Sequence, residues 1–281
     1  MKKILIICGP TATGKTGLAI SLAKKFRGEL VSADSRQVYK GLDALTGKDR
    51  SDEIPILLYD VVAPTEKFSV AHFVRLARNT IEDIGNRGTL PIVVGGTGLY
   101  LRALTRPIET IAIPPDWALR RRLETVSLDE LQTLVDPHRL ERMNDSDKRN
   151  PRRLIRVIEI AKSEKTSSQH TPAYDTLWIG LTAPLPILKD RIETRIRSRF
   201  NQAVREVRND LPSILGVDSL LAFTRGEVVK DEALRKWEQA EYQYAKRQMT
   251  WFRKEKAIHW FDVQHADYQR EVEALVRGWY T

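Results

Sequence analysis

The sequence carries one cysteine in 281 residues, Cys8. That excludes an internal disulfide and a cysteine-based metal cluster. The five histidines are scattered, with no H-E-x-x-H or similar spacing, so the common zinc-hydrolase signature is absent. No apolar run approaches the roughly 18 residues of a membrane-spanning helix. There is no internal repeat and no low-complexity tract. Met1-Lys2-Lys3 before an apolar run superficially resembles a secretory leader, but it leads straight into a strand and a glycine-rich loop. A signal peptide is therefore not expected, and a cytoplasmic location is. Acidic residues are in the minority: Asp+Glu 37 against Lys+Arg 46, a formal net charge of +9. That balance fits a polyanionic partner, RNA or DNA, or else a basic solvated surface. Length suits one large domain or a core with an insertion, and 42% hydrophobic residues suffice for a core.

What is present begins with Gly9-Pro10-Thr11-Ala12-Thr13-Gly14-Lys15-Thr16. It fits G-x-x-x-x-G-K-[ST], the loop whose backbone N–H groups cradle phosphates. The apolar run Lys3-Ile4-Leu5-Ile6-Ile7-Cys8 before it reads as a buried parallel strand. Leu18-Ala19-Ile20-Ser21-Leu22-Ala23 after it has helical spacing. The loop thus joins a strand end to a helix N-terminus, where free N–H groups and the helix dipole favour an anion. Lys15 is expected at the outer phosphates and the Thr16 hydroxyl on Mg²⁺.

A second strand, Glu29-Leu30-Val31-Ser32-Ala33, ends at Asp34. Asp34 fits two roles there, a ligand contact at the C-terminal edge of a parallel sheet or a helix N-cap. Ile56-Leu57-Leu58-Tyr59-Asp60-Val61-Val62 reads as a third strand, with Asp60 inside or near its end. Residues 69–85 read as an amphipathic helix capped by Ser69. Leu90-Pro91-Ile92-Val93-Val94 is a fourth strand, and no acid follows it. Kinases and hydrolases of this loop class hold Mg²⁺ on an Asp at such a strand end. Here Gly95-Gly96-Thr97-Gly98-Leu99-Tyr100 follows, suited to close approach of a phosphate or a base, or to a plain tight turn. Strands alternating with helices predict an α/β fold: a P-loop-containing, mostly parallel sheet flanked by helices. Lys15, Thr16, Asp34 and Thr97 then line one crevice. A phosphate cradle facing a carboxylate makes a transferase-like site, with a leaving group on one side and a proton acceptor on the other.

From residue 114 the character changes. Residues 116–125, 128–135 and 151–162 read as helices, with no strand-like run until Thr176. The expected organisation is a core at 1–111, a helical insertion at 112–172 and core completion at 173–281. The Ser, Thr and Pro content of 163–175 predicts an exposed, mobile connector. Asn150-Pro151-Arg152-Arg153-Leu154-Ile155-Arg156 opens a basic helix, as an anion contact or a solvated face. Residues 185–211 read as a long helix that sets Arg191, Arg195 and Arg199 on one face. Asp190, Glu193 and Glu206 are candidates to neutralise that ridge. Residues 231–255 form another helical pattern, mixing cations with Tyr242, Tyr244, Trp251 and Phe252. Such mixing suits RNA, whose unstacked bases stack on rings, although helical aromatics also serve as core. Ile258-His259-Trp260-Phe261 reads as a late strand and 268–280 as a closing helix.

Together these residues resemble the tRNA dimethylallyltransferase family. The matching stretches are residues 9–16, Ser32-Ala33-Asp34-Ser35-Arg36-Gln37-Val38-Tyr39, Val94-Gly95-Gly96-Thr97-Gly98-Leu99-Tyr100, 151–156 and Lys246-Arg247-Gln248-Met249-Thr250-Trp251-Phe252-Arg253. They occur in family order across most of the chain. The resemblance implies a P-loop α/β core with a helical insertion that grips the tRNA anticodon stem–loop. It implies dimethylallyl diphosphate as donor, with Mg²⁺, and the exocyclic amine of the adenosine immediately 3′ of the anticodon as acceptor. Asp34 matches the general base, with Thr97 beside it as a catalytic substrate contact. Gly9, Pro10, Thr11, Ala12, Thr13, Gly14, Lys15 and Thr16 match the diphosphate loop. Arg195, with Arg191 as the alternative, matches a pyrophosphate-binding arginine. Asp34, Ser35, Arg36, Gln37, Thr97, Arg120, Arg152, Arg153, Leu154, Ile155, Arg156, and Lys246 through Arg253 match tRNA-contacting positions. A monomer without membrane contact is expected.

The sequence departs from the family at Ile56-Leu57, where a His pair is common, and at Val217-Asp218, where Tyr and a basic residue are usual. Ala44-Leu45-Thr46-Gly47-Lys48 is a loose version of an Ile-Gly-Thr-Ala-Lys run, and the segment starting at Pro184 opens with Leu185-Pro186 in place of the usual Asp-Arg. The stretch 200–215 is shortened. These bear on tRNA affinity and choice more than on the chemistry. The rival readings are an enzyme that prenylates free adenine nucleotides, a P-loop kinase, and an RNA-binding protein with an inactive loop.

Overall fold

A computed structural model describes residues 1–163 and 174–280. It comprises two compact units, Met1–Arg106 with Pro172–Thr281, and Pro107–Thr171. In the first unit the chain runs β1 (Lys2–Cys8), α1 (Lys15–Phe26), β2 (Gly28–Ser32), α2 (Asp43–Thr46), β3 (Ile56–Leu57), α3 (Val70–Asn86), β4 (Leu90–Val94) and α4 (Gly98–Thr105). The second unit holds α5 (Trp117–Leu123), α6 (Leu128–Thr133), α7 (Pro137–Arg142), α8 (Asp145–Lys148) and α9 (Pro151–Lys162). The first unit resumes with β5 (Tyr174–Thr182), α10 (Leu185–Glu206), α11 (Val217–Thr224), α12 (Lys230–Phe252), β6 (Ile258–Asp262) and α13 (Tyr268–Tyr280).

The sheet has six strands in the order β3-β2-β4-β1-β5-β6, and every pairing is parallel. Parallel strands need crossovers, and crossover helices cover both faces. Hence Ile4, Leu5, Ile6, Ile7 and Cys8 are all fully buried, without polar alternation. In register, Ile6 sits between Val93 and Trp178. The C-terminal ends of β1, β2 and β4 therefore share one edge, which carries the glycine-rich loop, Asp34 and Gly95–Thr97. A separate core packs α10, α11 and α12 through Ile192, Ile196, Phe200, Leu220, Leu234 and Trp237. The second unit has its own core of Leu119, Leu123, Leu131, Leu154, Ile155 and Ile158. No helix among the described residues is long and apolar enough to cross a membrane.

The third strand is shorter than its apolar run predicts. β3 ends at Leu57, because Leu58 (φ 66°) and Asp60 (φ 57°) adopt left-handed backbone. Side chains there cost of order 1–3 kcal/mol in strain unless neighbours hold them. The holder is Lys48, whose side chain is fully buried. Its Nζ donates to Asp60 Oδ1 at 2.7 Å, Asp43 Oδ1 at 3.1 Å and the Tyr39 carbonyl at 2.6 Å. Most of the expected connector, 164–173, lies outside the described residues. Its end is not a connector: Tyr174 and Asp175 already pair with Lys2 and Lys3 as the start of β5.

Candidate active site

The glycine-rich loop leaves β1 at Gly9, whose φ is +133° and where a Cβ would overlap the Leu181 carbonyl oxygen. Thr13 Oγ1 donates to the Pro10 carbonyl at 2.9 Å, closing the loop on itself. Lys15 Nζ donates to the same carbonyl at 2.6 Å. Burial pushes the Lys15 ammonium down to about 8, helped by the Arg195 charge and opposed by Asp34. Arg195 reaches the loop from α10. Its Nη1 donates to Thr11 Oγ1 at 3.3 Å, and its Nη2 to the Gly47 carbonyl at 2.7 Å and Asp49 at 3.1 Å.

Asp34 lies just beyond β2 and is not a helix cap. Its Oδ1 accepts from the Arg36 N–H at 2.9 Å, an Asx-type turn that fixes the carboxylate. The next residue is tied to β4, since the Ser35 N–H donates to Thr97 Oγ1 at 2.9 Å. Arg36 Nη1 donates to Glu241 Oε1 on α12 at 3.0 Å, and its guanidinium lies 4.2 Å above the Tyr244 ring centre. Burial works against the Arg36 charge, but Glu241, Tyr244 and Asp34 outweigh it and raise its pKa. Burial likewise raises the Tyr59 and Tyr244 phenols, so both stay neutral.

These elements enclose a cavity of about 280 Å³. Lys15, Thr16, Asp34, Tyr59, Arg191 and Arg195 are among its lining residues. A cation, a hydroxyl, two arginines and a carboxylate thus converge on one chamber. Such a set is chemically suited to binding an anion and accepting a proton. No cluster of three or more His, Cys, Asp or Glu side chains suited to a metal occurs among the described residues.

Several expected site residues lie elsewhere. Thr97 is not among the residues lining the chamber, and its hydroxyl is engaged with Ser35. Gly96 and Gly98 do permit close approach, but by protein. A Cβ at Gly96 would meet the Gln248 amide, and one at Gly98 the Trp251 ring. Gln248 and Phe252 are buried on the inner face of α12, not displayed to RNA, although Gln248 also lines the chamber. Lys246, Arg247, Thr250 and Arg253 are exposed, with Met249 and Trp251 half-buried. In the second unit Leu154 and Ile155 are core. Arg120 binds Glu159 through Nε at 2.9 Å and Nη2 at 2.7 Å, and Arg156 joins the same carboxylate. Arg156 Nη2 also donates to the Thr110 and Ile113 carbonyls at 2.7 and 3.0 Å. Arg152 is exposed, while exposed Arg153 pairs with Asp147. Of the arginine ridge, Arg191 and Arg195 reach the chamber. Arg199 turns inward, where burial and then the Arg195 charge lower it to about 10. Glu206 does not neutralise the ridge: it accepts from the Ala44 and Leu45 N–H groups at 2.9 and 2.8 Å, capping α2.

Sequence reading missed Tyr59, Asp49 and Glu241. Tyr59 was hidden inside an apparent strand. Glu241 had a signal, an acid on the inward helical stripe with Leu234, Trp237, Ala245 and Phe252.

A family model described as IPP transferase matches residues 37–255, and one described as Isopentenyl transferase matches residues 2–57. A curated tRNA dimethylallyltransferase from Geobacillus thermodenitrificans is 38% identical, covering 98% of this chain and 96% of that protein. Another of the same name, from Anoxybacillus flavithermus, is 39% identical over 93% of this chain and 91% of its own length. The solved full-length tRNA isopentenylpyrophosphate transferase of Bacillus halodurans has a TM-score of 0.74 at 32% identity, covering 99% of this chain and 97% of that one. A structure of a eukaryotic dimethylallyltransferase acting on tRNA has a TM-score of 0.81 at 27% identity, covering 98% of this chain and 78% of its own. With the loop, the parallel sheet and the chamber in place, and with matches running nearly end to end, the chain belongs to the IPP transferase family.

Proposed function

We propose that this chain transfers a dimethylallyl group from dimethylallyl diphosphate to the exocyclic amine of the adenosine immediately 3′ of the anticodon in tRNA, releasing diphosphate. The observation that carries the reading is that Lys15, Thr16 and Asp34 line one chamber. The allylic C–O bond breaks and its electron pair leaves with the diphosphate. Backbone N–H groups of the loop, Lys15 and Arg195 meet that developing charge. The amine nitrogen forms the new C–N bond, and Asp34 takes the proton it sheds. The adenine leaves its stack to enter, at a cost of a few kcal/mol, which contacts along the tRNA offset.

Mg²⁺ fits as a companion of the diphosphate. Such an ion takes one or two protein oxygens plus phosphates, and the Thr16 hydroxyl in the chamber offers one. When bound it neutralises charge on the departing group. Lys246, Arg247, Thr250 and Arg253 supply an exposed basic face for tRNA phosphates, and Arg152 and Arg153 supply another on the insertion, which we read as the tRNA-gripping part. Those faces favour tRNA over a free nucleotide as acceptor.

The test incubates the protein with donor and either tRNA or AMP, followed by mass spectrometry of the nucleosides. Prenylated adenosine from tRNA alone is the expected result. Product from AMP alone would move the chain to the free-nucleotide reading.

A further inference from the structure

Gln248 lies in a segment whose sequence points toward tRNA, yet it is 5% exposed and faces inward from α12. Its amide joins two turns. Oε1 accepts from the Thr11 N–H in the glycine-rich loop at 2.8 Å. Nε2 donates to the Gly96 carbonyl, in the turn after β4, at 2.9 Å. A side-chain amide accepts at one end and donates at the other, so it fits one orientation here. Reversing it would set N–H against N–H and oxygen against oxygen.

Two further observations converge on the same amide. Gly96 has room for it only because it lacks a Cβ, which would overlap Nε2. Thr11 is also held from its other side, where Arg195 Nη1 donates to its hydroxyl at 3.3 Å. The loop is thus gripped by α12 through its backbone and by α10 through its side chain. Pro10 has no N–H, so Thr11 carries the first backbone N–H after Gly9. Removing the acceptor would leave that group without a partner in a partly buried setting.

We infer that Gln248 is a positioning residue on the donor side: it fixes the phosphate loop in the shape that receives the diphosphate and ties it to the turn after β4. The inference rests on the chamber's reading as a diphosphate site. It makes α12 two-sided, with Lys246, Arg247 and Thr250 outward and the brace of the donor loop inward.

The test uses Gln248→Met, which keeps length and burial but loses the amide, and Gly96→Ala, which leaves the amide but displaces it. Either variant can carry the test if the other fails to fold, as judged by its unfolding midpoint. Inorganic pyrophosphate affinity, by direct titration, and the donor KM should both worsen about tenfold. The tRNA KM should move less than about twofold. Combining the substitutions should add little to Gln248→Met, because both act through one amide. A raised tRNA KM with unchanged pyrophosphate affinity would overturn the inference in favour of RNA contact. Unchanged donor constants, or fully additive effects, would overturn it too. Titration needs no turnover, so a wild type that binds pyrophosphate but transfers nothing would fail the proposed function and leave this test standing.

Discussion

Asp34→Asn isolates the proton acceptor. The amide oxygen of Asn is able to accept from the Arg36 N–H as Asp34 Oδ1 does at 2.9 Å, so the turn survives. What disappears is the basic oxygen. The other carboxylate lining the chamber, Asp49, is paired with Arg195 at 3.1 Å and is a poor substitute. Losing a positioned general base slows a reaction by about 10²–10⁴, or about 3–5 kcal/mol on the barrier. Single-turnover transfer with enzyme in excess isolates that step from product release. Asp34 also helps keep Lys15 protonated, so the assay belongs near pH 7, below the lysine's value of about 8. Removing a negative charge beside the diphosphate leaves donor affinity unchanged or tighter. The tRNA affinity, by filter binding, should stay within about threefold, since one half-buried carboxylate contributes little to phosphate contacts. A single-turnover rate within about tenfold of wild type would show that the proton leaves by another route. Asp34 would then be a turn-forming residue and nothing more.

Lys15 is protonated below about pH 8 and loses its charge above it, so the donor KM should climb as pH rises from 7 to 9. A flat profile would refute a cationic role for Lys15. Lys246→Ala with Arg247→Ala should weaken tRNA binding and lower the log–log salt slope by about 1–2. A slope equal to wild type would remove that face from the footprint. Lys48→Met leaves Asp43 and Asp60 facing each other with only Arg50 between them. It should destabilise the protein by about 2–3 kcal/mol in urea titration, less than for a fully dry pair because both carboxylates are partly solvated. A loss under about 0.5 kcal/mol would mean that the left-handed turn at 58–60 holds without it.

Much of this is legible in the sequence alone. The strand–loop–helix at residues 2–26 has a fixed spacing that only one geometry satisfies, and β4 with its glycines was equally plain. The segment 56–62 was misleading because its apolar, β-branched composition matches a strand. The left-handed backbone at Leu58 and Asp60 is braced at Asp60 by a buried lysine distant in sequence, a tertiary contact that local pattern does not carry. The resemblance assigns residues 246–253 to tRNA contact as one block, although a helix cannot turn eight consecutive side chains the same way. The three- and four-residue spacing of Glu241, Ala245, Gln248 and Phe252 already marked the inward set. The resemblance assigns Arg120 and Arg156 to tRNA contact, and local pattern does not reveal their shared counter-ion, Glu159, which the fold of the insertion brings to both. Arg152, on the same helix, is exposed.

The interruption of the core by residues 107–171 has a consequence for biosynthesis. β1 is flanked by β4 on one side and β5 on the other. While the ribosome is still making the insertion, β1 has its first neighbour and lacks its second. An apolar edge without its ladder is what drives nascent chains into wrong pairings. The insertion has its own hydrophobic centre and can mature ahead of the unit that surrounds it in sequence. The chamber matures late: its loop emerges among the first sixteen residues, but the glutamine bonded to it is not translated until position 248. A ribosome-bound chain halted before that point would carry a recognisable nucleotide-loop signature and no working pocket.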